Sequence, residues 1–205
     1  MEAQERWHRV WSQLGVEPRG GLLADVLGAY AEPQRCYHTL QHLEECFAAL
    51  DPAAHLALRG AEVELAVWFH DAVYDTHAAD NEQRSAAWAD LELREGGAGP
   101  EAAARVGALV LATRHEAPPS DPDARLLVDV DLSILGAGEP RYTEYERQIR
   151  GEYAWVPDEL FRPGRARILT RFLERPSIYS TTWFAGRLEA RARRNLSRSL
   201  KRLVD

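Results

Sequence analysis

The sequence predicts an all-α fold, and three observations support this prediction. Apolar residues recur with the 3.6-residue period of a helix, and segments rich in glycine or proline separate the periodic runs. No stretch combines the alternation of a half-buried strand with hairpin turn signals. Because 205 residues can bury a substantial core, we expect a single domain over residues 1–205.

The periodic runs predict the helices in order. Trp7, Val10, Trp11 and Leu14 fall on one face and predict a first helix that ends before Gly15. The fourth run, residues 63–69, is apolar on nearly every side, which predicts a central, buried helix. The other predicted helices span residues 22–30, 37–50, 81–95, 101–114, 123–135, 142–153, 165–173 and 181–203.

Composition narrows the functional class. Hydrophobic residues make up 45% and charged residues 28%, which is typical of globular proteins. No apolar run approaches the roughly 20 residues that cross a bilayer, and the first ten residues lack a signal-peptide core. We therefore expect a cytoplasmic protein with no membrane association. The net charge of −7 argues against nucleic acid as the main partner.

The two cysteines are not expected to form a disulfide. Cys36 and Cys46 are ten residues apart in the third predicted helix, where their side chains cannot meet. We expect both to be buried thiols. The arginine-rich end of the chain predicts either a solvated basic helix or arginines that attract a phosphate-bearing substrate.

Histidines and aspartates in three separate helices predict a metal site. His38 and His42 are one turn apart in the third predicted helix, and His70-Asp71 follows the buried fourth run. Asp131 interrupts the apolar segment 126–135, where an ionised carboxylate is costly unless it is paired or binds a metal. Imidazole and carboxylate groups together suit a divalent first-row ion.

The order His42, His70-Asp71, Asp131 resembles the signature of the HD superfamily of metal-dependent phosphohydrolases. Nearly the whole chain, including Asp80-Asn-Glu-x-x-Ser-Ala86, is similar to a bacterial subgroup of predicted phosphohydrolases. The resemblance implies an HD-type helical bundle with a metal core over about 37–136 and a helical extension over about 140–205. It also implies that the four signature residues hold Mn, Mg, Co, Zn, Ni or Fe, with Asp129 as an alternative ligand to Asp131.

The resemblance further implies a reaction: attack of a metal-bound water on a small phosphomonoester or phosphodiester, with a nucleotide-like substrate expected. The Tyr-His-x-x-x-His element is similar to the start of the cyclic-nucleotide phosphodiesterase site, which makes His38 the general acid. Orientation of a ligand is its alternative role. Asp75, one helical turn from Asp71, or Glu82 would be the general base.

Candidate substrate contacts are Arg35 and Arg114, as planar phosphate donors, and Tyr74. Tyr74 stands where the phosphodiesterases have a further histidine, a difference that argues against a second metal. The main alternative is an HD-type oxygenase with two irons, in which His115 and His77 would complete a second site. A metal-retaining, nucleotide-sensing module is a further alternative.

Residues 153–165 combine aromatic, proline and arginine residues without a recognisable chemistry. They would either cap the pocket or form a dimer surface, so the sequence is compatible with a homo-oligomer.

Overall fold

The protein is all-helical, as predicted, in a computed structural model that describes residues 3–204; these residues contain no strand. The chain divides into two compact units, residues 1–128 and 129–205. We call them the N-terminal and C-terminal units. The prediction of a single domain stays a prediction, and Met1, Glu2 and Asp205 lie outside the described residues.

The helices follow the predicted order. They are α1 (Ala3–Gln13), α2 (Leu22–Tyr30), α3 (Leu40–Leu50), α4 (Gly60–Phe69), α5 (Asn81–Glu95), α6 (Pro100–Ala112), α7 (Pro122–Asp131), α8 (Glu139–Glu152), α9 (Asp158–Leu173) and α10 (Thr182–Val204). Two short 3₁₀ helices, Asp51–Leu56 and Leu132–Gly136, follow α3 and α7. Among residues 3–204, no helix has both the length and the apolarity that a bilayer crossing requires.

Helix α4 forms the centre of the N-terminal unit. It packs against α1, α3, α5 and α6, and every residue from Glu62 to Phe69 is buried. This explains why its sequence is apolar on nearly all sides, since a helix surrounded by others has little solvent face. Trp68 of α4 contacts Trp7 edge-on, with ring centroids 5.2 Å apart, and also packs on Phe47 of α3.

Buried acids of the N-terminal unit are paired with arginines. Arg105 donates two hydrogen bonds of 2.6 and 2.8 Å to Glu62, and Arg9 binds both carboxylate oxygens of Glu64. Bidentate pairs of this kind offset the cost of burying a charge. They tie α4 to its neighbours and are structural.

Helix α10 is the main element of the C-terminal unit and packs on α9 and on the 3₁₀ helix after α7. Asn195 of α10 donates to the carbonyl oxygens of Leu135 and Ala137. Gly136 allows this close approach, because a Cβ atom there would lie 2.6 Å from the Cβ of Leu188. The packing of the 3₁₀ helix Leu132–Gly136 on α10 is therefore fixed both by hydrogen bonds and by shape.

Several predicted helix boundaries are wrong. Helix α8 begins at Glu139 rather than at residue 142, and α7 ends at Asp131 rather than at residue 135. Helix α3 begins at Leu40 rather than at residue 37, because Thr39 is extended, with φ −115° and ψ −177°. Helix α9 begins at Asp158 rather than at residue 165. Acidic residues in its first turn favour a start there, and Pro163 is accommodated inside the helix.

Candidate metal centre

Helices α3 and α4 of the N-terminal unit position the central side chains. His42 lies in the first turn of α3, and its side chain is buried with 1% exposure. His70 is the C-cap residue of α4, equally buried, and Asp71 follows it. An apolar helix that ends in a buried histidine, followed by a half-buried aspartate, carries a polar group into the core, which is unfavourable without a partner.

The two imidazoles face each other through their Nε2 atoms, which are 3.0 Å apart. The Nδ1 atom of His70 lies 2.8 Å from the carbonyl oxygen of Val67. A carbonyl oxygen only accepts, so this Nδ1 carries a hydrogen, and in the neutral ring the Nε2 presents a lone pair. Metal-binding histidines are commonly held in this way by a backbone carbonyl.

Asp71 completes a tight triangle with the two histidines. Its Oδ2 lies 3.1 Å from the Nε2 of His70 and 3.4 Å from the Nε2 of His42. Burial alone would raise the pKa of Asp71. Positive charge on His70 and His38 and hydrogen bonds from His42 and His70 outweigh that effect and hold the pKa well below its ordinary value.

This donor set fits a metal ion. A neutral His70 with its hydrogen on Nδ1 directs a lone pair at the Asp71 carboxylate, and two acceptors 3.1 Å apart repel unless a proton or a cation lies between them. One ligand atom each from His42, Cys46 and His70 also lies within 4.8 Å of the others. Asp131 is the last residue of α7 and belongs to the C-terminal unit, and its place in the ligand set stays a prediction. A buried group of His, Cys, His and Asp could therefore hold a metal ion.

Arg35 and Tyr30 position the backbone at Asp71. Arg35 is buried and donates to the carbonyl oxygens of His38, Asp71 and Ala72 at 3.2, 2.6 and 3.0 Å. The backbone N–H of Asp71 donates to the hydroxyl oxygen of Tyr30, 3.2 Å away. Burial, and then the negative charge of Asp71, raise the pKa of Tyr30 well above its ordinary value, so this hydroxyl stays neutral. Sequence reasoning missed Tyr30, which gave no signal beyond its place in an apolar stripe.

The expectation that His38 and His42 share a helix is wrong, because α3 begins after His38. The two rings are nevertheless close, with centroids 5.7 Å apart. The ring of His38 stacks on the ring of Tyr74, with centroids 3.9 Å apart. The ring of Tyr37 contacts that of His42, with centroids 4.7 Å apart. His38 thus lies beside the candidate ligand His42 without depending on helical spacing.

Asp71 and Asp75 are not one helical turn apart, since α4 ends at Phe69 and a loop follows. Asp75 is exposed, and its Oδ1 accepts the backbone N–H of His77 at 2.8 Å. The side chain of Asn81 accepts a hydrogen bond from the backbone N–H of Asp75 and donates one to its carbonyl oxygen. Asp75 is therefore part of a hydrogen-bonded loop, and its role as a base stays a prediction.

The remaining predicted site residues are more dispersed. Glu82 is half-buried in the first turn of α5, and His77 is exposed. Arg114 is exposed and pairs with Glu116 at 2.8 Å, and His115 has a positive φ of 55°. The group of ligand atoms identified among residues 3–204 contains neither His77 nor His115, and their second site stays a prediction.

The cysteines differ from the prediction. Cys36 lies outside α3 and is exposed, so the expectation of two buried thiols on one helix is wrong. Cys46 is buried and its Sγ lies 3.7 Å from both ring nitrogens of His42. The signal available in the sequence was the four-residue spacing between His42 and Cys46.

The carboxylate of Asp129, the alternative ligand, accepts hydrogen bonds from the segment before α10. Its Oδ1 accepts the N–H of Ser180 at 2.7 Å, and its Oδ2 accepts both the N–H and the hydroxyl of Thr181. These residues immediately precede α10, so the carboxylate secures the beginning of that helix. Burial raises the pKa of Asp129 in spite of these bonds.

Comparisons with known proteins give no relative: no protein-family model, no curated protein and no solved structure matches the chain.

Proposed function

We propose that this chain is a metal-dependent phosphohydrolase of the HD type that acts on a small, nucleotide-like phosphomonoester or phosphodiester. The observation that carries the proposal is the convergence of the His42 and His70 Nε2 atoms, 3.0 Å apart, with the Asp71 Oδ2 at 3.1 and 3.4 Å. These are the residues that the HD signature uses as ligands, and Asp131 completes the signature.

The proposed ligands are His42, His70, Asp71 and Asp131. A divalent ion in such a site polarises a phosphoryl oxygen and makes hydroxide accessible near neutral pH. The carbonyl of Val67 keeps a hydrogen on the Nδ1 of His70, so that its Nε2 is available to the ion. In the metal-free chain, the pKa of Asp71 is depressed, so an arriving cation would meet a carboxylate that is already ionised and would displace the proton shared with the histidines.

Proton transfer is assigned to residues beside the ligands. We propose that His38, stacked on Tyr74, donates a proton to the leaving oxygen, which would contribute on the order of 10²–10⁴-fold in rate. Asp75 and Glu82 remain the two candidates for the general base. Tyr74 and Arg114 are proposed to contact substrate, whereas the contacts of Arg35 favour a positioning role.

The experiment is a metal-by-substrate screen on purified protein. The chain is stripped with a chelator, reloaded separately with Mn²⁺, Mg²⁺, Co²⁺, Zn²⁺, Ni²⁺ or Fe²⁺, and assayed on nucleoside monophosphates, cyclic nucleotides and simple aryl phosphoesters. We expect turnover with at least one ion, and a loss on the order of 100-fold or more in Asp71→Asn.

Glu62→Gln is the matched control, because it also removes a buried carboxylate of the N-terminal unit, one paired with Arg105. It should unfold more easily while keeping its metal and its turnover. Equal turnover in Asp71→Asn and wild type would contradict the proposal. Metal binding without turnover of any phosphoester would favour a sensing module instead. Two irons per chain with O₂ consumption would favour the oxygenase.

A further inference from the structure

We propose that Cys46 is itself a ligand of this metal ion, and that its sulfur makes the site selective for thiophilic ions such as Zn²⁺, Co²⁺ and Fe²⁺ over Mg²⁺. The inference rests on the metal site of the proposed function and not on the hydrolytic reaction. The HD signature, as it occurs in this chain, does not include a cysteine, so the sulfur would be an addition to it.

The position of Cys46 supports this role. Cys46 follows His42 by one turn of α3, and the side chains of both residues are buried with 1% exposure. Its Sγ lies in the same group of ligand atoms as the nitrogens of His42 and His70. The other cysteine, Cys36, is exposed and lies outside this group, which makes it a natural control.

The distances between ligand atoms are those of a small coordination shell. Bonds of about 2.0–2.1 Å to nitrogen and about 2.3 Å to sulfur, at tetrahedral angles, place two nitrogens roughly 3.3 Å apart and a nitrogen and a sulfur roughly 3.6 Å apart. The observed separations are 3.0 Å between the Nε2 atoms of His42 and His70 and 3.7 Å between the Sγ of Cys46 and the Nε2 of His42. The sulfur is therefore at ligand spacing.

The geometry argues against a hydrogen bond that only orients His42. In a linear bond from Nδ1–H, the sulfur would lie much farther from Nε2 than from Nδ1, because Nε2 is on the far side of the ring. The Sγ of Cys46 is 3.7 Å from both nitrogens. It thus lies beside the ring at equal distance from the two nitrogens, and a rotation of the Cys46 or His42 side chain would bring it within bonding distance of an ion on Nε2.

A thiolate ligand changes which ions the site prefers. Binding requires the thiol to release its proton to solvent, so the ligand contributes a soft sulfur and a further negative charge. Thiolate favours zinc and iron, whereas Mg²⁺ requires hard oxygen ligands at short, nearly octahedral distances. A centre with two imidazoles, a thiolate and a carboxylate would therefore discriminate strongly against Mg²⁺.

The test is a Co²⁺ titration of the stripped full-length chain, followed by optical absorption, in wild type, Cys46→Ser and Cys36→Ser. We expect wild type and Cys36→Ser to show an intense sulfur-to-cobalt charge-transfer band in the near ultraviolet. Cys46→Ser should lack that band while keeping the weaker visible bands of bound Co²⁺. Its affinity for Zn²⁺ should fall about 10–100-fold, with little change for Mn²⁺.

X-ray absorption of the wild-type Zn²⁺ complex gives a second test that needs no variant. We expect a sulfur neighbour at about 2.3 Å, and a shell of nitrogen and oxygen alone would overturn the inference. A charge-transfer band that persists in Cys46→Ser would overturn it as well. Metal-dependent turnover without a sulfur signal would refute only the role of Cys46, whereas a wild-type chain that binds none of these ions would refute the proposed function too.

Discussion

Arg35 donates a hydrogen bond of 2.6 Å from its Nη1 to the backbone carbonyl oxygen of Asp71, the residue that follows the C-cap of α4. The same guanidinium bonds the carbonyls of His38 and Ala72 and the carboxylate of Glu32. One buried arginine thus links the segment before α3 to the segment after α4. These two segments carry His38 and Asp71, so Arg35 sets their relative position.

Arg35→Lys should therefore act on the metal site and on stability together. Lysine keeps the charge but lacks the planar fork that serves four acceptors at once. We expect the free energy of unfolding, measured in urea, to fall by about 2 kcal/mol, and the Zn²⁺ affinity to fall about 10–100-fold. At saturating metal, the KM for a phosphoester should change little.

Arg114→Lys is the comparison, since Arg114 is exposed and outside this network. It should raise KM and leave metal affinity unchanged. If Arg35→Lys raised KM while metal binding stayed intact, Arg35 would contact substrate, as the sequence first suggested.

The depressed pKa of Asp71 predicts how its contribution to stability depends on pH. A carboxyl group whose pKa is lower in the folded than in the unfolded chain stabilises the fold above its unfolded pKa, and that stabilisation is lost as pH falls through the folded pKa. Asp71→Asn removes the contribution. In metal-free protein, we expect wild type to be the more stable of the two above about pH 4. The difference in unfolding free energy should shrink below that pH.

Urea unfolding of both metal-free proteins from pH 7 to pH 2.5 measures this difference. Glu64→Gln provides a control, since Glu64 is a buried acid paired with Arg9 rather than with histidines. A difference between wild type and Asp71→Asn that stayed constant over the whole range would show that Asp71 is not stabilised as an anion.

His38 is expected to act on the reaction and not on metal binding. His38→Ala should lower kcat by about 10²–10⁴-fold while metal content stays near the wild-type level. Tyr74→Phe keeps the ring that stacks on His38 and should have a much smaller effect on kcat. Metal analysis and steady-state kinetics on both variants test this. Loss of metal in His38→Ala comparable to that in His42→Ala would make His38 a ligand.

The sequence predicted the helices well where apolar periodicity alone determines them. The boundaries of α2 and α5 agree with the predicted ranges, and the uniformly apolar run of residues 63–69 is the buried central helix α4. The sequence also identified His42 and His70, whose ring nitrogens lie close together in the candidate metal group. In these cases, the residue types themselves indicate which positions are buried.

The sequence was less informative where the local backbone conformation determines which residues share a helix. The extended backbone at Thr39 separates His38 from α3, and the loop after Phe69 separates Asp71 from Asp75, although both pairs have helical spacing. The positioning role of Arg35 depends on contacts with Asp71 and Ala72, which are distant in sequence, whereas the contact of Cys46 with His42 lies within α3. The sequence pattern does not show whether a buried cysteine or arginine serves only packing or also a functional site.

Asp129 and Asp131 show the same difficulty, and substitution should separate them. The Asp129 carboxylate uses both oxygens to accept three hydrogen bonds from Ser180 and Thr181. In Asp129→Asn, an NH₂ group replaces one oxygen and faces a donor, so we expect a loss of about 1–2 kcal/mol in unfolding free energy. Metal content should stay unchanged.

Asp131→Asn should give the opposite result, because Asp131 is the proposed fourth ligand. We expect its metal content to fall and its metal-free stability to change by less than that of Asp129→Asn. Thermal unfolding with and without Zn²⁺, together with metal analysis, measures both quantities on the same preparations. If Asp129→Asn lost its metal and Asp131→Asn retained it, the ligand assignment at the end of α7 would have to be reversed.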